Sequence, residues 1–163
     1  MAKNKEEKTN VMRVLEQKKI AYTAHTYPHE EGMAVDGVTV AKSMGFDPAI
    51  VFKTLVARGA SKQYYVFDVP VAENLDLKKA AKAVGEKSIE MIHQKELLPL
   101  TGYVHGGCSP VGMKKLFPTV IDASAENLPT MIVSAGKIGY QVELSPRDLA
   151  SLVRAKFADL IAE

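Results

Sequence analysis

Two strand-like segments joined by a short connection constrain the fold more than any other feature of this chain. Residues 50–58 and 63–70 are rich in β-branched, aromatic and aliphatic side chains, and the four residues between them are of hairpin length. Further short strands are predicted at 20–27, 88–91, 119–122, 130–134 and 140–144. Their mostly hairpin order favours an α/β fold with a mixed, mostly antiparallel sheet or barrel of about seven strands and flanking helices. It argues against a doubly wound nucleotide-binding fold.

Helices are predicted between these strands from apolar spacing and capping residues. Thr9 or Asn10 can cap the first, and Asn74 or Asp76 can cap another that stops at Gly85. The last helix is capped by Ser145, and Pro146 and Asp148 complete a capping pattern in its first turn. The predicted spans are 38–44, 77–84, a single turn at 94–98 ended by Pro99, and a final helix from 146 with helical spacing continuing to Lys156.

The overall composition predicts one globular domain at 9–163 after a flexible segment at 1–8. The 163 residues carry a net charge of +2, which is too small to require nucleic acid as a partner but allows a local basic face. One cysteine permits no internal disulfide, and no apolar run is long enough for a signal peptide or a membrane span. We therefore expect a cytoplasmic protein with no membrane association.

Lys53 stands inside the strand-like segment Val51-Phe52-Lys53-Thr54-Leu55-Val56, which leaves two interpretations. If Lys53 shares a face with Val51 and Leu55, it interrupts an apolar row and marks a site, since a buried lysine needs a partner. If Phe52 and Val56 point inward instead, Lys53 points to water. Periodicity alone favours the second interpretation slightly.

Residues 102–112 contain four glycines, a proline, a serine and the one cysteine of the chain. The adjacent Gly106 and Gly107 allow positive φ and let backbone N–H groups approach a carbonyl or an anion. The alternative is a purely structural bulge or corner. A second small-residue turn, Ser134-Ala135-Gly136-Lys137, is either another backbone site or a simple hairpin turn.

Nucleophile and metal motifs are weak in this sequence. The four histidines do not form an HExxH pattern and the single cysteine disfavours a zinc cluster, so no metal and no cofactor are expected. Cys108 has only His105 nearby in sequence as a candidate base, and a free cysteine is more often a small buried apolar residue. A nucleophilic Cys108 therefore remains a minor alternative.

Five short motifs follow one another in order along the chain. They are His25-Thr26-Tyr27, Val51-Phe52-Lys53-Thr54-Leu55, LDLKKAAK at 75–82, TGYVHGGCSPVGMKK at 101–115, and VSAGKIG at 133–139. Together they resemble the YbaK family of aminoacyl-tRNA deacylases, which also occurs as the inserted editing domain of bacterial prolyl-tRNA synthetases. The resemblance runs from about residue 10 to the C-terminus, and its five ordered motifs are specific although each alone is weak.

The resemblance implies a freestanding trans-editing enzyme that hydrolyses the ester between a wrong amino acid and the terminal adenosine of tRNA. YbaK itself acts on Cys-tRNA(Pro), a mischarged product that size discrimination alone cannot prevent. By position, Lys53 is implied to be the essential lysine, and Gly106 and Gly107 are implied to meet the reacting acyl group. The residues implied to bind substrate are Tyr27, Ser109, Ser134 and Gly136.

The family is implied to act by placement and charge stabilisation, without a protein nucleophile. For cysteine, the substrate's own thiol is proposed to attack the ester. The partner is then the acceptor end of mischarged tRNA, and association with prolyl-tRNA synthetase is left open. Candidate contacts to the tRNA backbone are Lys78, Lys79, Lys82, Lys114, Lys115 and Lys137, which are equally well explained as solvated lysines.

Three departures from the family pattern concern specificity. Gln141 stands where relatives often carry an acid, Asp36-Gly37-Val38 replaces a frequent Gly-Asp-Glu, and Cys108 replaces an aliphatic residue. They leave open a preference for another small residue such as alanine. A binding or regulatory protein that kept the fold without the chemistry is a further alternative.

Overall fold

A computed structural model describes residues 8–30 and 32–163. Within them the strands form two sheets, of five and three strands, so the expectation of a mixed α/β fold is confirmed and the barrel alternative is wrong. The strands are β1 (Tyr22–Thr26), β2 (Phe52–Gly59), β3 (Tyr64–Pro70), β4 (Ile89–Met91), β5 (Thr119–Asp122), β6 (Met131–Ser134), β7 (Tyr140–Leu144) and β8 (Lys156–Ala158). The predicted flexible segment falls almost entirely on residues 1–7, which lie outside the described residues.

The five-stranded sheet has the order β4-β2-β3-β5-β8 and is built on the predicted hairpin. Strands β2 and β3 pair antiparallel from Phe52 opposite Pro70 to Arg58 opposite Tyr64, and β4 pairs antiparallel with β2. Strands β5 and β8 extend the sheet in parallel. The sheet is therefore mixed, as its predicted strand order suggested.

The three-stranded sheet has the order β1-β7-β6, with antiparallel pairing throughout. A parallel bridge between Val51 and Ile132 joins it to the larger sheet. Lys53 lies two residues after Val51, and Ser134 lies two residues after Ile132. The parallel register of the bridge therefore places these two residues at the same height. The junction of the sheets thus brings together two of the predicted site residues.

Five α-helices cover the sheets in the part of the chain that the structure describes, and the starts of four of them follow from side-chain caps. The Thr9, Asp36, Asp76 and Ser145 side chains each accept a backbone N–H in the first turn of the helix that follows. The helices are α1 (Asn10–Gln17), α2 (Gly37–Ser43), α3 (Leu77–Val84), α4 (Gln94–Thr101) and α5 (Pro146–Val153). None of the helices described is both long and apolar enough to cross a membrane.

Two helix ends differ from the expectations. Helix α4 continues through Pro99 to Thr101, because only the exposed Lys95 carbonyl loses its partner and Thr101 Oγ1 donates to the Leu97 carbonyl at 2.7 Å. Helix α5 ends at Val153, since Arg154 adopts a left-handed conformation with φ of 58°. Lys156, expected to prolong that helix, instead begins β8 beside β5.

Both faces of β2 are covered, which resolves the ambiguity about its pleat. Phe52 and Val56 pack in the core shared with α1, α5 and the smaller sheet, whereas Ala57 packs under α3 on the other face. Lys53 belongs to the face of Val51 and Ala57, both buried, and is itself half-buried. The strand is apolar on both faces because it lies inside the molecule on both sides.

Candidate active site

A cavity of about 520 Å³ opens where the two sheets meet. That volume is in the range of small-molecule sites in enzymes. Strand β2 forms one wall, the end of β6 and the middle of β7 form another, and the loop before α2 and the glycine-rich stretch close the sides. Its polar lining residues are Tyr27, Asp36, Lys53, Thr54, His105, Cys108, Ser134 and Gln141.

Lys53 is the lysine among the residues that line this cavity. Within residues 8–30 and 32–163 its ammonium has no hydrogen bond and no carboxylate at ion-pair distance. Burial lowers the pKa of Lys53, and the more distant charges of Asp36 and Glu73 oppose that effect. An unpaired, half-buried ammonium can bind a carbonyl oxygen, a phosphate or a ribose hydroxyl that enters the cavity.

Gly106 brings the glycine-rich stretch to the cavity with a φ of +90°, which favours glycine. A Cβ added here would lie 2.7 Å from Ala34 Cβ, so this backbone packs directly on the loop before α2. Among the described residues its N–H has no hydrogen-bond partner. Gly106 therefore lines the cavity and carries a backbone N–H without a partner among these residues.

Gly107 and Ser109 are placed differently from Gly106. The Gly107 N–H donates to the Val104 carbonyl at 2.9 Å, which closes a turn inside the stretch. Ser109 is fully buried, and its Oγ accepts the Val111 N–H at 3.2 Å. Neither lines the cavity, so both are better explained as residues that shape the loop.

Tyr27 and Ser134 line the cavity, and both are held by the turn between β6 and β7. The Tyr27 N–H donates to the Gly139 carbonyl at 3.0 Å, and Ser134 Oγ accepts the Gly136 N–H at 3.0 Å. Gly136 has φ of +93° and packs against Tyr103 on a second, smaller cavity. Gly136 thus orients Ser134 without lining the larger cavity itself.

Cys108 and Thr54 both line the cavity, and each interacts with Asp68. Burial, with the nearby Asp68 charge, raises the pKa of the Cys108 thiol to about 12. Such a thiol stays protonated near neutral pH and is a poor nucleophile. Thr54 Oγ1 donates to Asp68 Oδ1 at 2.6 Å, and burial raises the pKa of this fully buried carboxyl to about 7.

Gln141 is a lining residue that sequence reasoning treated only as a departure from a family pattern. It is buried in β7 opposite Ser134 and His25, and its Oε1 has no partner among the described residues. Strand alternation could have found it, because Gln141 shares a face with Glu143 rather than with the apolar Val142. Asp68 carried a similar signal, an acid in the apolar segment YYVFDVP.

A half-buried cation, a backbone N–H without a partner among the described residues and a thiol that stays protonated are groups suited to binding a carbonyl or an ester by positioning and charge. Comparison with known proteins gives the chemistry. The family model described as aminoacyl-tRNA editing domain matches residues 29–152. The Enterococcus faecalis (strain ATCC 700802 / V583) protein named "Putative Cys-tRNA(Pro)/Cys-tRNA(Cys) deacylase EbsC" is 45% identical over 161 residues, covering 98% of each chain.

This chain therefore belongs to the aminoacyl-tRNA editing domain family, and its class is that of an aminoacyl-tRNA deacylase. Solved structures agree in fold. A putative trans-editing enzyme for prolyl tRNA synthetase is 26% identical with a TM-score of 0.78, covering 94% of this chain and 95% of the other. The hypothetical protein APE2540, 20% identical, has a TM-score of 0.82 over 93% of this chain and 99% of its own.

Proposed function

We propose that this protein is a trans-editing enzyme that deacylates mischarged tRNA(Pro), with Cys-tRNA(Pro) as its main substrate. The observation that carries the proposal is the Lys53 ammonium, unpaired among the described residues, in a cavity that is also lined by Gly106. The relative's name, with Cys-tRNA(Pro) in it, supports the choice of substrate. The open cavity gives no support to a protein that kept the fold without chemistry.

In the proposed reaction the terminal ribose and its aminoacyl ester enter the cavity. Lys53 stabilises negative charge at the ester or orients the ribose, and the Gly106 N–H binds the acyl carbonyl oxygen. Gln141 lines the cavity as well, and its side-chain amide is proposed to contact the aminoacyl group. Tyr27 and Ser134 complete the walls beside the substrate.

The attacking group comes from the substrate or from water, because Cys108 stays a neutral thiol. With cysteine, the substrate sulfur bonds to the carbonyl carbon, the ester C–O bond breaks, and the ribose oxygen takes up a proton. With alanine only water can attack. No metal and no cofactor enter either route as proposed.

The tRNA body is proposed to contact exposed lysines outside the cavity, in the compartment where tRNA is charged, which we expect to be the cytoplasm. Lys78 and Lys82 on α3 and Lys114 and Lys115 after the glycine-rich stretch are exposed. Lys79 is excluded from this set, because its Nζ pairs with Asp159 at 3.0 Å and donates to the Ile161 carbonyl. Selectivity for tRNA(Pro) could also come from association with prolyl-tRNA synthetase.

The test is a panel of aminoacyl-tRNAs incubated with the purified protein. We expect rapid loss of the ester from Cys-tRNA(Pro), slower loss from Ala-tRNA(Pro), and none from Pro-tRNA(Pro). A Cys-tRNA(Cys) arm shows whether the tRNA or the amino acid is selected. Stability of every mischarged ester, beside a relative that is active in the same assay, would overturn the proposal.

A further inference from the structure

Asp68 is a buried acid that the proposed reaction does not use. It lies on β3 opposite Thr54 of β2 and is fully buried. One carboxyl oxygen, Oδ1, accepts the Thr54 hydroxyl hydrogen at 2.6 Å, while Oδ2 has no partner among the described residues. Burying a carboxyl with one oxygen unsatisfied is costly, so its presence in an otherwise apolar strand requires an explanation.

Thr54 connects this acid to the cavity. Thr54 is half-buried and is one of the residues that line the cavity. A threonine hydroxyl has one hydrogen and two lone pairs. Because the hydrogen is directed to Asp68, Thr54 can offer only lone pairs to a bound molecule.

We propose that Asp68 is a positioning residue that turns the Thr54 hydroxyl into a fixed hydrogen-bond acceptor for the bound aminoacyl group. This inference rests on the proposed deacylase function and adds a specificity element to it. The group that Thr54 recognises is a hydrogen-bond donor on the amino acid, either the α-ammonium or a side-chain thiol.

The protonation state of Asp68 decides which way the hydroxyl points. When Asp68 is ionised, Thr54 must donate to it; when Asp68 is protonated, the acid can donate to Thr54 and free the threonine hydrogen to turn toward the cavity. Burial places the pKa of Asp68 at about 7, and the other titratable group that acts on it, Cys108, stays neutral. Its β5 neighbour in register, Ile121, is apolar. Recognition of a donor should therefore improve as the pH rises through about 7.

The experiment measures kcat/KM for Cys-tRNA(Pro) and Ala-tRNA(Pro) from about pH 5.5 to about 8.5 with the wild type, D68N, T54V and the double variant. D68N and T54V should each lower kcat/KM about tenfold, the loss of one hydrogen bond to a charged or polar donor. The double variant should be no worse than T54V, because Asp68 acts through Thr54. Both single variants should lose the wild-type inflection near pH 7.

Two controls separate positioning from general damage. T119V removes another buried threonine hydroxyl of the same sheet, and D122N changes another buried acid, but neither residue lines the cavity. Both should keep the wild-type rate and pH profile. T54S, which keeps the hydroxyl, should restore activity and the inflection. If D68N does not fold, the comparison of T54S with T54V still tests whether the hydroxyl group of Thr54 is needed as a hydrogen-bond acceptor.

The outcomes are distinct from failure of the proposed function. A wild type that deacylates no mischarged tRNA overturns the function itself. An active wild type whose rate and pH profile are unchanged in D68N, or a double variant whose losses multiply, overturns the role of Asp68. A loss confined to Cys-tRNA(Pro) identifies the thiol as the recognised donor, whereas an equal loss with Ala-tRNA(Pro) identifies the α-ammonium.

Discussion

Lys53 and Ser134 stand at the same level on two different sheets, each two residues beyond the parallel bridge that joins Val51 to Ile132. The bridge is what makes a cavity at this place, because it holds the wall with the cation against the wall with Ser134 and Gln141. Residues that are 81 positions apart in the sequence thereby line one cavity.

Replacing Gly106 by alanine should reduce activity more than it reduces stability. The φ of +90° strains any side chain, and the new Cβ would meet Ala34 at 2.7 Å, so the loop and its free N–H must shift. We expect at least about a tenfold loss in deacylation, typical of misplacing one oxyanion donor.

The matched control for this change is Gly45→Ala, with φ of +80° and no atom within 4 Å of the added Cβ. It should cost about 1 kcal/mol of stability from the left-handed conformation and leave the rate unchanged. Denaturant unfolding and deacylation rates of both variants check this. Equal rate losses in the two variants would contradict a local role for Gly106.

Gln141→Leu should make the protein more stable and less active. In the free protein the change removes a buried acceptor without a partner, which is worth about 1–3 kcal/mol. In the complex it removes the side-chain amide proposed to contact the aminoacyl group, so KM should rise for cysteinyl and alanyl substrates alike. The melting temperature tests the gain in stability, and steady-state kinetics test the loss of activity. An unchanged KM would exclude a contact between Gln141 and the substrate.

Ionisation of Asp68 should lower the free energy of unfolding of the protein as the pH rises. Its pKa is about 7 in the folded protein against an ordinary value of 3.8, so between these values the folded state holds a proton that the unfolded state has lost. The stability contribution is present below about pH 4 and is lost by about pH 7, with a limit of about 4 kcal/mol. Unfolding free energies of wild type and D68N across this range should diverge as the pH rises; a constant difference would refute the raised pKa.

Cys108→Ala should retain the wild-type rate within about threefold, because a thiol with a pKa of about 12 is not a nucleophile near neutral pH. Slow alkylation of Cys108 by iodoacetamide in the folded protein would agree with this. An inactive Cys108→Ala variant that is still folded would restore the cysteine nucleophile that sequence reasoning kept as an alternative.

The sequence correctly predicted those helices and strands whose ends are set by residues close to them in the sequence. Helix α3 lies between Asp76 and Gly85 as its cap residues indicate, and β5 and β7 have the predicted bounds. Strand β8 was missed because Lys156 follows a helical spacing, and only the left-handed Arg154 and pairing with β5 turn it into a strand. Pairing of that kind depends on contacts distant in sequence.

Of the residues that the family resemblance singled out, Tyr27, Lys53, Gly106 and Ser134 line the cavity, whereas Gly107, Ser109 and Gly136 do not. Periodicity left Lys53 undecided because both faces of β2 are buried, a fact that depends on the second sheet. The adjacent glycines appeared equivalent in the sequence, yet only Gly106 has an N–H without a partner among the described residues. Asp68 and Gln141 needed the structure, since an unpartnered atom is defined by what surrounds it.

The most direct test of the central claim is the single-turnover rate of Cys-tRNA(Pro) deacylation by wild type and Lys53→Met. Loss of the ammonium should lower the rate by about a hundredfold or more, as for other removed charge-stabilising groups, while the variant remains folded. Lys87→Met, at an exposed lysine outside the cavity, should keep the wild-type rate. A folded Lys53→Met variant that deacylates Cys-tRNA(Pro) as fast as the wild type would contradict the account.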